Sequence, residues 1–179
     1  NNLGKSLARG INLVTDTRID AITYQGTWQL IDHYGHKFEG YDWVVVTAPA
    51  EQTAYLLPEH FKYYNHIKQV KMLPCITLML GFDKTAKLNF DAAHISNSDI
   101  AWIGVNSSKP LRPESFSLVV HSSSDYATEN LDTDRTAVLE HLIEKTEQII
   151  GFSLTGVTFK TLHYWRYAQN AEEQFSPLL

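Results

Sequence analysis

The chain has 179 residues, which is enough for one ordinary domain, or for one domain and part of another. A hydrophobic content of 44% suits a packed core and excludes a disordered tail. A formal net charge of -5 argues against binding to nucleic acid or to anionic membranes, which favour basic surfaces, so we expect neither as a partner. No apolar run approaches the roughly 20 residues that a membrane-spanning helix needs. A single cysteine and the absence of a signal-peptide pattern predict a cytoplasmic location.

The N-terminal part of the chain predicts a short helix followed by an antiparallel meander. Residues 3–9 are compatible with a helix that Gly10 would end. Strand patterns with alternating apolar and polar residues follow, and polar turns that contain Gly26 and Gly35 separate them. These predicted strands are residues 11–14, 18–24, 28–33 and 37–39.

Residues 41–49 predict a strand of another kind, because Val44-Val45-Val46-Thr47-Ala48-Pro49 is a continuous β-branched run that ends in small residues and a proline. Strands buried on both faces have this composition, and they usually lie in parallel sheets. A parallel sheet needs crossover connections that the neighbouring sequence does not supply. We therefore expect this strand to be separated from its sheet partners, and we expect a helix at residues 50–57 after it.

The remainder of the chain predicts an α+β layer, in which several strands pack with one long amphipathic helix. Asp132 or Thr133 caps this helix, apolar residues recur at helical spacing from Val138 to Ile150, and Gly151 ends it. The predicted strands are residues 70–83, 93–97, 100–106, 115–122 and 157–166. The predicted fold class is α+β.

The common catalytic and metal-binding patterns are absent from the sequence. Gly4-Lys5-Ser6 matches the end of a phosphate-binding loop, but the upstream glycine and the strand that would precede the loop are missing. His33 and His36 flank a tight turn without a third ligand at suitable spacing, and the other histidines are scattered singly, so we predict no metal site. Cys75 lies in an apolar run and is interpreted as a structural thiol.

Two segments remain as candidates for ligand binding. Thr47, Ala48 and Pro49 are small residues at the end of a buried strand, where a ligand can approach closely, but a core strand before a helix-starting proline explains them as well. In the segment His163–Ala168, alternation places Tyr164 and Arg166 on one face of a strand and His163, Trp165 and Tyr167 on the other. Such a face either stacks a flat heterocycle or packs in the core.

The order and spacing of these segments resemble a known family. The helix, the segments Arg18–Ile22 and Trp28–Leu30 and the run Asp42–Ala50 resemble the middle of flavin-containing amine oxidases. The later segments look like the bacterial renalase-like branch, which consists of NAD(P)- and FAD-dependent oxidoreductases. These later segments are Pro74–Phe82, the strand with Trp102, Leu131-Asp132 and His163–Ala168.

The resemblance implies a two-lobe protein that binds FAD. Residues 1–57 would form part of the FAD-binding lobe, with the meander and one strand left over from an incomplete Rossmann-like sheet. Residues 58–179 would form the substrate-binding lobe, an antiparallel sheet with flanking helices. In such proteins the residues that match Arg18 and Ile19 lend main-chain groups to the adenine, and those that match Thr47, Ala48 and Pro49 lie against the nucleotide. By the same resemblance, His163, Trp165, Arg166 and Tyr167 would line the pocket for a small-molecule substrate.

The implied reaction is the oxidation of an amine or a dihydronicotinamide nucleotide by hydride transfer to FAD, with oxygen as the electron acceptor. The family's Gly-x-Gly-x-x-Gly opening and its closing Gly-Asp segment do not occur in this chain. We therefore expect an internal fragment that is inactive and free of FAD by itself, and that self-associates through the face that Trp43–Ala48 should bury. Two alternatives stay open. One is a non-catalytic α+β module that binds a small aromatic ligand or a protein, and the other is a desaturase or porphyrinogen oxidase of the same superfamily.

Overall fold

A computed structural model of the chain describes residues 2–83, 87–112 and 115–171. The predicted lobes start at residue 1 and end at residue 179, and these two ends lie outside the described residues. The chain divides into two compact units, Asn1–Val70 and Lys71–Leu179. Each unit combines an antiparallel sheet with helices, so the predicted α+β fold class is confirmed.

The first unit contains a three-stranded antiparallel sheet with the strand order β1-β2-β3, which is the predicted meander. The strands reverse direction at turns in which Gly26 and Gly35 have φ values of 84° and 83°, a conformation that glycine adopts without steric cost. The elements are α1 (Asn2–Leu7), β1 (Ile19–Tyr24), β2 (Trp28–Asp32), β3 (Lys37–Tyr41), α2 (Ala50–Leu56) and α3 (Tyr64–Gln69).

The predicted strand at residues 11–14 does not form. Its apolar side chains are exposed, and Ile11 and Leu13 retain 65% and 63% of their accessible surface. No strand within the described ranges pairs with this segment. A strand without a partner leaves its backbone hydrogen-bonding groups unpaired, so the alternating pattern alone is insufficient to form one.

The valine-rich segment, residues 42–47, also lacks a sheet partner in the part of the chain that the structure describes. Its side chains alternate between two environments. Trp43 and Val45 are 86% and 83% exposed, whereas Val44 and Val46 face a small cavity. Residues 42–49 do not form the strand that the sequence predicts at residues 41–49, but their side chains still alternate as those of an extended chain do.

The second unit contains a five-stranded antiparallel sheet with the strand order β5-β6-β7-β4-β8, and helix α5 packs on one of its faces. Ile76, Leu78 and Leu80 are every second residue of β4, and all three point into this core, where they are 0%, 0% and 2% exposed. Leu142 in the middle of α5 is 0% exposed. The elements are β4 (Met72–Phe82), β5 (Ala92–His94), β6 (Ile100–Val105), a short 3-10 helix (Asn106–Ser108), β7 (Ser117–Ser122), α4 (Ser124–Asn130), α5 (Arg135–Ile150) and β8 (Val157–Asn170).

The cap of helix α5 differs from the prediction. Asp134 is the N-cap, and its carboxylate accepts a hydrogen bond from the Thr136 N–H at 2.9 Å. Asp132 and Thr133 were the predicted caps, but a turn closed by a hydrogen bond from the Thr133 N–H to the Asn130 carbonyl occupies these positions. The helix therefore begins after Asp134.

The division between the units lies after Val70, whereas the sequence predicts a change at residue 58. Residues 58–70 belong with the first unit because helix α3 contacts helix α2. Pro58 follows helix α2 closely, but the end of a helix is not the end of a compact unit. The assignment of the units to an FAD-binding lobe and a substrate-binding lobe stays a prediction.

Candidate functional site

The two residues predicted to contact adenine lie at the start of strand β1. The Arg18 guanidinium pairs with the Asp20 carboxylate at 2.9 Å, and the Arg18 carbonyl accepts a hydrogen bond from the His33 N–H at 2.9 Å. A hydrogen bond from the His33 ring and the charge of Arg18 hold the pKa of Asp20 below its usual value. Ile19 pairs with Asp32 of β2. Because β1 is an outer strand of the described sheet, the main-chain groups on its other edge are available to a ligand.

Thr47, Ala48 and Pro49 form the turn into helix α2. Pro49 is the N-cap, and its carbonyl accepts a hydrogen bond from the Thr53 N–H at 2.8 Å. The buried Thr53 hydroxyl donates to the Ala48 carbonyl at 2.9 Å. These two hydrogen bonds fix the small residues at the point where the valine-rich segment meets the helix.

A cavity of about 210 Å³ lies beside the valine-rich segment. Its lining includes Val44 and Val46, the sheet residues Ile22 and Trp28, and Thr53. Pockets for drug-sized ligands usually measure roughly 300–1,000 Å³, so this apolar space is too small for a dinucleotide. We interpret it as part of the interior of the first unit.

One face of the five-stranded sheet carries a row of aromatic and histidine side chains. The strand register places His94 opposite Trp102, Trp102 opposite His121, His121 opposite Thr77, and Thr77 opposite His163. Directly opposed residues of antiparallel strands point to the same face, so this row crosses the whole sheet. We call the face that carries it the open face; helix α5 packs on the opposite one.

The predicted pocket residues of β8 do not all lie together. Trp165 lies on the open face with His163, and their ring centroids are 4.2 Å apart. The Trp165 indole N–H donates a hydrogen bond to the Thr77 hydroxyl at 3.1 Å. Arg166 instead approaches Asp132, which lies shortly before helix α5, at 3.8 Å. The half-buried Tyr167 lies in the irregular stretch of β8 that follows Trp165.

The open face contains a cavity of about 440 Å³ at the end of the sheet where the strand pairing is irregular. The register of β4 and β8 shifts at Pro74, which has no N–H to donate, and the register of β6 and β7 shifts at Ala101. Such bulges redirect side chains and are frequent beside functional sites. The lining of the cavity includes Cys75, His94, Trp102, His121, Ser122 and Gln169.

Two side chains of this cavity, His121 and Cys75, have pKa values shifted towards their neutral forms. Burial lowers the pKa of His121, and the positive charge of Lys109 lowers it further. Burial raises the pKa of the Cys75 thiol, and hydrogen bonds involving Thr77 and Ser122 oppose this effect only in part. A neutral imidazole both donates and accepts hydrogen bonds, and a protonated thiol is a poor nucleophile. The cavity is therefore suited to hydrogen bonding and stacking, and the raised pKa of Cys75 agrees with the structural thiol that the sequence predicts.

Several other histidines pair with carboxylates. His33 contacts Asp20 at 2.9 Å, His36 contacts Asp32 at 2.9 Å, and His141 contacts Asp99 at 2.8 Å. Within residues 2–83, 87–112 and 115–171, no group of three or more His, Cys, Asp and Glu side chains is placed to hold a metal ion. No helix in the same ranges combines the length and the apolar composition needed to cross a membrane.

Comparison with known proteins relates the chain to solved structures. No protein-family model matches the sequence. A protein described as a protoporphyrinogen oxidase, from Exiguobacterium sp. 255-15, matches with a TM-score of 0.62 and 20% sequence identity, over 87% of this chain and 35% of that chain. Putrescine oxidase bound to putrescine matches with a TM-score of 0.66 and 8% identity, over 94% of this chain and 40% of that chain. The chain shares its fold with these oxidases. It spans only 35% to 40% of their length.

The fold likeness supports the resemblance to amine oxidases that the sequence indicates, at the level of the fold. What the sequence does not indicate is the clustering of His94, Trp102 and His121 in one cavity. These residues come from three different strands, and only the register across β5, β6 and β7 brings them together. The sequence signal that could have helped to find this cluster is the alternation along each strand, which places each of these residues on one face of its own strand.

Proposed function

We propose that the chain is part of an FAD-dependent oxidoreductase that oxidises an amine or a dihydronicotinamide nucleotide by hydride transfer to FAD, with oxygen as the electron acceptor. The shared fold is the observation that carries this proposal, because the structural neighbours across 87% to 94% of the chain are described as oxidases, and the sequence resemblance adds FAD as the cofactor. The order of the sequence segments favours the bacterial renalase-like branch, and the single cysteine favours a cytoplasmic enzyme.

The first unit fits the nucleotide end of FAD. The outer edge of β1 at Ile19 offers main-chain groups for the adenine, and Thr47, Ala48 and Pro49 offer small side chains at the start of a helix. The valine-rich segment before them is unpaired among the described residues, as expected for one strand of a larger nucleotide-binding sheet. The sequence lacks the Gly-x-Gly-x-x-Gly turn that holds a pyrophosphate, so other residues of the whole protein would have to hold the phosphates.

The second unit would bind the substrate. Bound FAD would supply the hydride acceptor, and the protein would supply binding and orientation. Trp102 and Trp165 of the open face present ring surfaces that are 39% and 53% exposed. His163 lies on the same face, whereas Arg166 is directed towards Asp132. His163 and Trp165 are therefore the best placed of the predicted pocket residues.

Expression of the whole protein tests this proposal. The complete reading frame is expected to encode a Gly-x-Gly-x-x-Gly turn in a strand–helix unit before Asn1, and the purified protein is expected to contain FAD. Oxygen consumption is expected with amines or with dihydronicotinamide nucleotides. A protein without that turn and without flavin would be a non-catalytic binding module. Turnover of a porphyrinogen alone would retain the flavin chemistry but change the substrate class.

Two substitutions test the cofactor assignment. Ala48→Leu adds bulk where the nucleotide is proposed to lie, so it is expected to lower the flavin content of the whole protein. Ala137→Leu adds the same bulk at an exposed position of helix α5 and is expected to leave the flavin content unchanged. The measurement is the ratio of flavin released on denaturation to protein. Equal ratios in the two variants would remove Ala48 from the site.

A further inference from the structure

We propose that the cavity beside Trp102 binds a flat, uncharged heteroaromatic ring, so that the substrate is heteroaromatic and not an aliphatic diamine. As a statement about the substrate, this inference rests on the proposed function. As a statement about binding, it depends only on the second unit, which contains all the residues that line the cavity.

Trp102 provides a surface for stacking. Its indole lies over Gly104, and the indole nitrogen is only 3.1 Å from the point that a Cβ at Gly104 would occupy. The missing side chain of Gly104 lets the indole pack close to the strand. The side chain still has 39% of its surface exposed, and it lines the cavity. Stacking of a flat ring on such a surface is favourable for any heteroaromatic system.

His94 and His121 provide directional hydrogen bonds on both sides of this surface. The register places both of them directly opposite Trp102, one on each neighbouring strand, and adjacent strands are separated by about 4.8 Å. Burial and the charge of Lys109 lower the pKa of His121, so its imidazole is neutral near pH 7 and has one donor and one acceptor. A ring with its own carbonyl or ring nitrogen complements such groups, whereas a saturated carbon chain does not.

The charges of the cavity disfavour a diamine. Its described lining contains no Asp or Glu side chain, and none of the described strand positions paired along the row from His94 to His163 carries one. An ammonium group in this cavity would have no carboxylate partner within the described lining and would depend on the indole face alone. The cavity volume of about 440 Å³ lies in the usual range for a small ligand. Size, stacking surface and charge therefore favour the same class of ligand.

Titration of the 179-residue chain with three probes tests the inference. Nicotinamide is flat, neutral and heteroaromatic, cyclohexanecarboxamide has the same amide on a saturated ring, and putrescine is an aliphatic diamine. The readout is the four indole N–H signals in a ¹H–¹⁵N NMR spectrum, since the chain has four tryptophans. Nicotinamide is expected to shift the Trp102 signal and to leave the Trp28 and Trp43 signals in place. The other two probes are expected to shift none of them at the same concentration.

Matched variants locate the binding. Trp102→Leu is expected to weaken nicotinamide binding at least about five-fold, as for the loss of one stacking contact. Trp43→Leu removes an indole that is 86% exposed in the first unit and is expected to leave binding unchanged. Gly104→Ala keeps the indole but displaces it, and it is expected to weaken binding while circular dichroism shows an intact fold. This second variant keeps the test valid if Trp102→Leu does not fold.

Two results would overturn the inference. One is putrescine binding at the Trp102 cavity as tightly as nicotinamide, and the other is nicotinamide binding that neither Trp102→Leu nor Gly104→Ala weakens. Failure of the proposed function looks different. A flavin-containing whole protein that oxidises only diamines would refute this inference and retain the proposed function. Nicotinamide binding at Trp102 in a protein without flavin would refute the proposed function and retain the ring site.

Discussion

We expect substitutions in the valine-rich segment to have different effects on stability in the 179-residue chain and in the proposed whole protein. Val45 is 83% exposed, whereas Val46 faces the small cavity lined by Ile22 and Trp28. A strand within a larger parallel sheet buries both of its faces. Val45→Thr and Val46→Thr each replace a methyl group by a hydroxyl group of the same shape, so each variant is the control for the other.

The expected magnitudes follow from the two environments. In the 179-residue chain, Val46→Thr should lower the free energy of unfolding of the first unit by about 1 kcal/mol, at the low end of the range for burying a hydroxyl, because Val46 is half-buried. Val45→Thr should change it by less than about 0.5 kcal/mol, as is usual for an exposed site. In the whole protein, each substitution should cost about 1–3 kcal/mol, because both side chains would be buried there.

Urea denaturation of both proteins, followed by tryptophan fluorescence, measures these differences, and Trp28 reports on the first unit. The flavin content of the whole protein gives a second readout. The reasoning is refuted if Val45→Thr is as harmless in the whole protein as in the chain alone. Sedimentation of the 179-residue chain should also show less self-association for Val45→Thr, because the substitution makes an exposed apolar patch more polar.

Three further predictions test other parts of the structure. Thr77→Val removes the 3.1 Å hydrogen bond from the Trp165 indole, so the Trp165 indole signal should shift in an NMR spectrum and the fold should lose about 0.5–1.5 kcal/mol; an unchanged signal would contradict the contact. Although burial raises the pKa of Asp32, hydrogen bonds from the following turn outweigh this effect and hold it below its usual value. The ionised Asp32 carboxylate therefore stabilises the fold above about pH 4, and this stabilisation is lost as the pH falls below that value. Asp32→Asn should flatten the acid-induced fall in melting temperature. An equally steep fall in the variant would contradict this. Leu142→Ala, at a residue with 0% exposure, should cost about 2–5 kcal/mol, whereas Glu140→Ala on the exposed face of α5 should cost less than about 0.5 kcal/mol in the same denaturation experiment; equal costs would place Leu142 outside the core.

The elements of the fold could be predicted where their formation depends on local sequence. The spacing of apolar residues within each segment predicts the strands of the meander, β4, β7 and helix α5. The structure contains these elements close to the predicted bounds. The strand at residues 11–14 has the same local pattern but does not form, because a strand also needs a partner. The presence of a partner is not a local property, so alternation within one segment cannot predict it.

The candidate site could be predicted only in part for the same reason. Alternation along β8 predicts that His163 and Trp165 share a face, and the structure agrees. The cavity beside Trp102 depends on the register between strands, which the periodicity within each strand does not determine. The bulge opposite Pro74 also interrupts the alternation after Trp165, so the environment of the residues that follow could not be inferred from their order alone.

Two groups of exposed apolar residues, one in each unit, lie in different structural settings. In the first unit, exposed aliphatic side chains lie in segments without a strand partner in the described ranges, such as Leu13 at 63% and Val45 at 83%. Aliphatic strands of this kind are normally buried between layers of a larger domain. In the second unit, Trp102 and Trp165 are exposed on paired strands of the five-stranded sheet, beside histidine side chains that can form hydrogen bonds. Burial by more protein satisfies the first pattern, whereas a small polar aromatic ligand satisfies the second. Under the proposed function, the exposed aliphatic residues would pack against the rest of the protein, and the exposed indoles would contact the substrate.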